Sequence, residues 1–174
     1  MAAMAAAEAA GTRTLSEADF AVPRTDRYFE DYVTGAVYDY GYVSVTEPEI
    51  IEFARSFDPQ PMHVDPEYAV TGPFGGIIAS GFHTAGLFMR LYVEHYISRV
   101  ASLASPGIDE IRWPTPVRPG DKLWIRTTVL ETRRSKSKPD RGLVHTRGEM
   151  FADDDRPVLS LVALNFLKAR GPAS

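Results

Sequence analysis

Apolar and polar positions follow two rhythms along this chain, and the change of rhythm divides it into elements. Val37 to Val45 is rich in tyrosine and β-branched residues, which predicts a strand. Thr46-Glu47-Pro48-Glu49 then matches a capping box. The threonine can cap a helix, the second glutamate can reach back to the free amide, and the acidic residues suit the positive end. Ile50, Phe53, Ala54 and Phe57 follow at helical spacing, so a short amphipathic helix should end near Phe57. Pro59, Pro61 and Pro66 argue against helix or central strand in the next stretch, apart from one helical turn from Pro66 to Val70. Gly72 to Gly76 reads as loop. From Gly81 to about Val100 runs the longest helical pattern. Phe82, Ala85, Gly86, Met89, Val93, Tyr96, Ile97 and Val100 give one apolar face, and Leu87, Phe88, Leu91 and Tyr92 give much of a second. A helix apolar on more than one side is expected to be buried.

Beyond Ser105 the rhythm becomes that of strands. Gly107 to Trp113 is one candidate, and a bend rich in proline follows. Leu123, Ile125 and Val129 alternate along the next strand. Arg133 to Gly142 is a polar turn, Leu143 to Ala152 a further strand, and Asp153 to Arg156 another turn. Val158 to Leu167 is almost continuously apolar, as in a strand covered on both faces. The predicted class is α+β, with one antiparallel sheet wrapped around one long central helix. Residues 1 to about 24 read as a tail, disordered by default, ahead of one domain over 25–170.

Composition narrows the partners. A formal net charge of −4 leaves no basic footprint for nucleic acid. The absence of cysteine removes disulfides, thiolate nucleophiles and thiolate metal sites together. No run approaches the ~18 apolar residues of a membrane span. The alanine-rich start lacks the basic end and apolar core of a targeting signal. The expectation is a cytoplasmic protein.

The chemistry concentrates between Phe53 and Leu91. Asp58 and His63 sit five positions apart in the proline-stiffened loop, an acid and a base just ahead of a helix start at Ser80-Gly81. Such a pair can share one water, while unpaired N–H groups at the helix start favour developing negative charge. Ser80 reads first as the helix cap, with donation to a substrate or to the acid/base pair as the alternative. His83 either lines the pocket or packs as a neutral histidine. Tyr68 and Phe74 either shape the binding site or belong to the core. Asp65 before Pro66 is an N-cap. Arg133, Arg134, Lys136, Lys138 and Arg141 form the basic cluster of the chain, read as a solvated hairpin with a nucleotide contact as the alternative. Three adjacent aspartates at 153–155 make a turn, not a metal site.

FARSFDPQPMHVDPEYA followed by IIASGFHTAGLFMRL resembles the signature of MaoC-like dehydratases and (R)-specific enoyl-CoA hydratases. IRWPTPVRPGDKL resembles a later strand-bend-strand segment of the same family. The resemblance implies the hot-dog fold, an antiparallel sheet curled around a central helix. It implies Asp58 and His63 as the catalytic pair, and Gly81 as the residue whose amide binds the thioester carbonyl. It implies an acyl-CoA substrate, no cofactor or metal, and a homodimer or dimer of dimers. The chain departs from the family pattern at Phe57, where glycine is common, at Gln60, where asparagine is common, and at Ser80, where histidine is common.

Three functions therefore stand at this point. The first is reversible hydration of a trans-2-enoyl-CoA to the (R)-3-hydroxyacyl-CoA. The second is acyl-thioester binding, or support of a partner subunit, without turnover. The third is thioester hydrolysis.

Overall fold

The computed structural model describes residues 13–14 and 19–171. Its six strands are ordered β1-β2-β4-β5-β6-β3, and each neighbouring pair is antiparallel. They are β1 (Arg13–Thr14), β2 (Val37–Ser44), β3 (Gly107–Arg112), β4 (Lys122–Arg134), β5 (Arg141–Ala152) and β6 (Pro157–Lys168). The helices are α1 (Glu47–Phe57), α2 (Pro61–Val64), α3 (Pro66–Thr71) and α4 (Gly81–Leu91). The architecture is the expected one, an antiparallel sheet around a central helix.

Alternation along the strands builds the inner face. Leu123, Ile125 and Val129 of β4, Val144 and Met150 of β5, and Leu159 and Leu161 of β6 form one cluster with Phe88 and Leu91 of α4. Gly148 provides the close approach of helix to sheet, since a Cβ there would overlap the Phe88 ring. α1 starts as its residues predict. The Thr46 amide donates to Glu49 Oε2 at 2.9 Å, and the Thr46 hydroxyl accepts from the Glu49 amide.

Five expectations are corrected. Residues 1–12 and 15–18 of the expected disordered tail lie outside the described residues. Within 19–24, however, Phe20 stacks on Tyr38 at 4.2 Å, and Arg24 donates to the Val93 carbonyl at 2.6 Å. The folded unit therefore begins before residue 25, because an aromatic ring and an arginine supply contacts that composition did not reveal. Pro61 does not prevent a helix. It occupies the start of α2, where its missing N–H and fixed φ are tolerated.

The long helix is shorter than its pattern. α-Helical bonding stops at Leu91, Tyr92–Tyr96 form a π-turn, and Ile97 is extended. Apolar residues continue past this boundary at Tyr92, Val93, Tyr96 and Ile97, so periodicity could not mark it. What marks it is Arg27, whose guanidinium donates to the carbonyls of His95 and Tyr96 at 3.1 and 2.6 Å. β6 is also not buried on both faces. Leu159, Leu161 and Leu167 are buried, while Val162, Leu164 and Phe166 on the outer side are half-exposed. Finally, the polar turn between β4 and β5 is shorter than Arg133 to Gly142, because the two strands pair as far as Arg134 and Gly142.

Candidate active site

α1 ends where its apolar stripe ends, and Asp58 caps it, its backbone amide donating a hydrogen bond to the Ala54 carbonyl at 2.8 Å. α2 follows after three residues and carries His63 inward, 6% exposed. The His63 ring is oriented by the backbone, with Nδ1 2.8 Å from the Ile78 carbonyl oxygen. A carbonyl can only accept, so Nδ1 carries the proton and Nε2 is left as an acceptor. Nε2 lies 3.5 Å from Asp58 Oδ2.

Asp58 is held from two further sides. The Ser80 hydroxyl donates to Oδ2 at 2.6 Å, and the Gln60 side-chain amide donates to Oδ1 at 2.7 Å. These bonds, Ser80 first and Gln60 second, keep the carboxyl below its ordinary value against the opposing effect of burial, and His63 adds to the lowering. Ser80 also performs the capping role read from the sequence, accepting from the Phe82 amide at 3.3 Å. Gly81 opens α4, where the first amides have no partner within the helix. A Cβ on Gly81 would stand 2.8 Å from the Trp113 indole, so glycine there lets another group lie directly on the backbone.

A cavity of about 310 Å³ opens at this point, lined by His63, Phe74, Ile78, Gly81, Thr84 and Trp113 among others. A wider hollow of about 640 Å³ runs along the outer side of α1 from Glu47 to Ser56, away from the acid/base pair. The smaller one is the cavity that His63 and Gly81 line. Asp58, His63, Ser80, Gly81 and Phe74 are thus brought together or onto one cavity.

Two candidates are not. Tyr68 sits exposed on α3, outside the cavity wall, and Asp65 caps that helix as expected. His83 faces the opposite way and stacks on Phe53 at 4.8 Å. Two residues of helix turn a side chain by roughly 200°, so a group two positions after Gly81 points at α1 rather than into the cavity. Burial lowers the pKa of His83, as suits a packed neutral ring. The same rotation explains a residue that the sequence reading missed. Thr84, three positions after Gly81, shares its face and lines the cavity. Trp113 and the Ile78 carbonyl had no signal in sequence, and Gln60 stood out only as a departure from the family pattern.

The basic hairpin is elsewhere. Arg133, Arg134 and Lys136 surround a separate hollow of about 340 Å³ with Leu143 and Phe166, at the far end of β4 from the site. Arg134 is paired with Glu30 at 2.6 Å and Arg141 with Asp140 at 2.8 Å. Among the described residues no helix is long and apolar enough to cross a membrane.

Comparison with known proteins adds independent findings. A family model described as "MaoC like domain" matches residues 32–147. The 3-hydroxyacyl-thioester dehydratase Z of Mycobacterium tuberculosis is 40% identical over 91 residues, which span 51% of this chain and 60% of that protein. An uncharacterized Bacillus subtilis protein, YdeM, is 32% identical over 109 residues, 63% of this chain and 77% of its own. Among solved structures, a MaoC-like dehydratase from Rhodospirillum rubrum superimposes with a TM-score of 0.77 at 37% identity. The superposition covers 83% of this chain and 99% of that one. A Mycobacterium tuberculosis protein with a double hot-dog fold superimposes at 0.73 with 20% identity, over 88% of this chain and 47% of that one, and supports the fold alone.

Proposed function

The chain belongs to the MaoC-like domain family, and from that premise we propose that it reversibly adds water to a trans-2-enoyl-CoA, giving the (R)-3-hydroxyacyl-CoA. The observation that carries the proposal is one contact. His63 Nε2 and Asp58 Oδ2 stand 3.5 Å apart beside a cavity that reaches Gly81. A water held between two acceptors presents its oxygen to C3 of the substrate. The pair removes one proton from it as the C–O bond forms, and a proton is delivered to C2. The thioester carbonyl carries the negative charge in between. The Gly81 amide and the positive end of α4 are the donors for that charge, and one such donor is worth about 3–4 kcal/mol in comparable sites. Acid, base and amide donor complete this scheme, so no metal or redox group enters it. The dehydratase names of the mycobacterial and Rhodospirillum relatives support the same reaction class.

The assay is direct. The enoyl absorbance of crotonyl-CoA and longer homologues is followed together with free-thiol release. Loss of absorbance without thiol is the expected result. Thiol release would replace the hydratase by a thioesterase, and no change in either would leave a binding protein.

A further inference from the structure

Both oxygens of Asp58 are already engaged by side chains, and that restricts what the carboxylate can do. The Ser80 hydroxyl donates to Oδ2 and the Gln60 amide to Oδ1. Ser80 is fully buried, and its oxygen also takes the Phe82 amide proton, so its own hydroxyl proton is directed at Asp58. A proton on either carboxylate oxygen would face a donor: O–H against O–H at Ser80, or against N–H at Gln60. His63 is fixed in the complementary sense. Its Nδ1–H is spent on the Ile78 carbonyl, and Nε2 remains to accept.

We propose that Ser80 and Gln60 are positioning residues that clamp Asp58 as a permanent carboxylate, leaving His63 Nε2 as the group that carries the proton through the cycle. The proposal rests on the hydratase reading for its kinetics but not for its titration. In the hydration direction the water O–H bond breaks, its proton passes to Nε2 and its oxygen bonds to C3. The imidazolium then gives that proton to C2 as the carbonyl re-forms. Asp58 accepts the second water proton as a hydrogen bond only, and faces the imidazolium at Oδ2. Ser80 and Gln60 are two of the positions at which this chain departs from the family pattern, so the clamp belongs to this chain's own residues. The groups facing Asp58 are few among the described residues: the Ala54 carbonyl and Gln60 from its own segment, His63 from α2, and Ser80 from the start of α4. His63 is the titratable one.

The test is a carboxyl-carbon NMR titration of the full chain, with the Asp58 resonance assigned by its absence in Asp58→Asn. Wild type is compared with Ser80→Ala, Gln60→Ala and the double variant, and kcat and KM for crotonyl-CoA are measured alongside. The Asp58 midpoint should rise in each variant and further in the double. kcat should fall roughly 10- to 100-fold, the range expected when a reacting group loses its position, with KM little changed. Ser80→Thr, which keeps both hydroxyl and cap, should restore the midpoint and most of kcat. An unmoved Asp58 midpoint in the single variants overturns the clamp, as does a change confined to KM. Gln60 is exposed and in a loop, so its variant keeps the test decisive even if Ser80→Ala does not fold. A chain without hydratase activity would overturn the functional reading, and the titration would still decide the clamp.

Discussion

The two ends of α4 both carry polar groups into the fold, and they dispose of them differently. At the far end, beyond Leu91, most polar atoms answer one another, and Arg27 Nε and His95 Nε2 are the buried exceptions. The Tyr96 hydroxyl bonds Thr146 at 2.8 Å, Asn165 donates to the Tyr92 hydroxyl at 2.8 Å, and the Tyr32 hydroxyl donates to the Tyr96 carbonyl and accepts from the Ser98 amide. Arg27, 3% exposed, spreads its guanidinium over the Val22, His95 and Tyr96 carbonyls and over the Phe20 ring. At the near end the bonding stops short. Ser80, Gln60 and Ile78 orient Asp58 and His63, but the last acceptor, His63 Nε2, is turned toward a carboxylate rather than a donor. A network most of whose members answer one another contributes stability. A network with an acceptor left over stores orientation for a ligand, which is how a fold accommodates chemistry at the expense of local satisfaction.

The strongest way to break this comparison is to remove the near-end acceptors. Asp58→Asn and His63→Ala should each lower crotonyl-CoA turnover at least ~100-fold, the low end for general acid–base groups, which is about 2.7 kcal/mol in barrier. The thermal midpoint of Asp58→Asn should stay close to wild type, since that carboxylate is partly exposed, whereas His63→Ala should lower it by removing a buried ring and the partner of the Ile78 carbonyl. Steady-state kinetics beside a melting curve checks this, and retained turnover in both variants would remove them as the reacting groups.

The matching experiment at the far end has the opposite signature. Arg27→Ala leaves buried carbonyls of the π-turn without their charged donor, and should cost about 2–3 kcal/mol of stability, as for hydrogen bonds to a charged group. kcat of the folded fraction should hold. Urea unfolding gives the first quantity and kinetics below the transition the second. A large drop in kcat at unchanged stability would show that the far end also serves the reaction.

The sequence made the near end far more legible than the far end, for a physical reason. Local rules govern the near end. The capping box at Thr46 and Glu49 places the start of α1, the apolar stripe ending at Phe57 delivers Asp58, and α2 sets His63 one short turn later. These signals act over a few residues, so a linear reading recovers them. Ser80 was legible as a cap, but its second role depends on Asp58, 22 positions away in sequence. The far end is built from contacts distant in sequence. Arg27 meets Tyr96 across 69 positions, and Phe20 meets Tyr38 and Tyr96 from a stretch that composition presents as a tail. Apolar periodicity through Leu91 and Tyr96 cannot show that the hydrogen-bond pattern changes from α to π. His83 and Thr84 fall between these cases. Their faces follow from helix rotation once Gly81 is set against the cavity, and not before.

Gly81→Ala sharpens the near end further. The added methyl would meet the Trp113 indole, 2.8 Å from the ideal Cβ position. Overpacking of this kind typically costs 1–3 kcal/mol. The Trp113→Ala change should relieve most of that cost, so the double variant should be more stable than the sum of the singles implies. A double-mutant cycle by urea unfolding measures the coupling. Strict additivity would mean that the indole does not rest on Gly81.

The smallest expected effect concerns protons rather than packing. His83 is buried against Phe53, and burial holds its pKa below the ordinary 6.5, with Glu49 partly opposing. In the unfolded chain the ring regains its ordinary value. Below about pH 6.5 the unfolded state therefore binds more protons than the folded one, and stability must fall as pH falls through that window. Asp58 is lowered too, but as a carboxylate. Its stabilising contribution is present above its ordinary 3.8 and is lost only when pH falls through the still lower folded value. The two windows are separate, which makes the histidine effect measurable near neutrality. His95, also lowered by burial, contributes in the same direction. His83→Phe keeps a ring on Phe53 and removes one of the two titrations, so its melting temperature should decline less steeply than wild type between pH 7.5 and 5.5. An identical slope in the variant would mean that His83 takes up its proton as readily in the fold as in water. Its place would then be at the open end of the helix, with the groups that exchange protons, and not in the packed wall behind it.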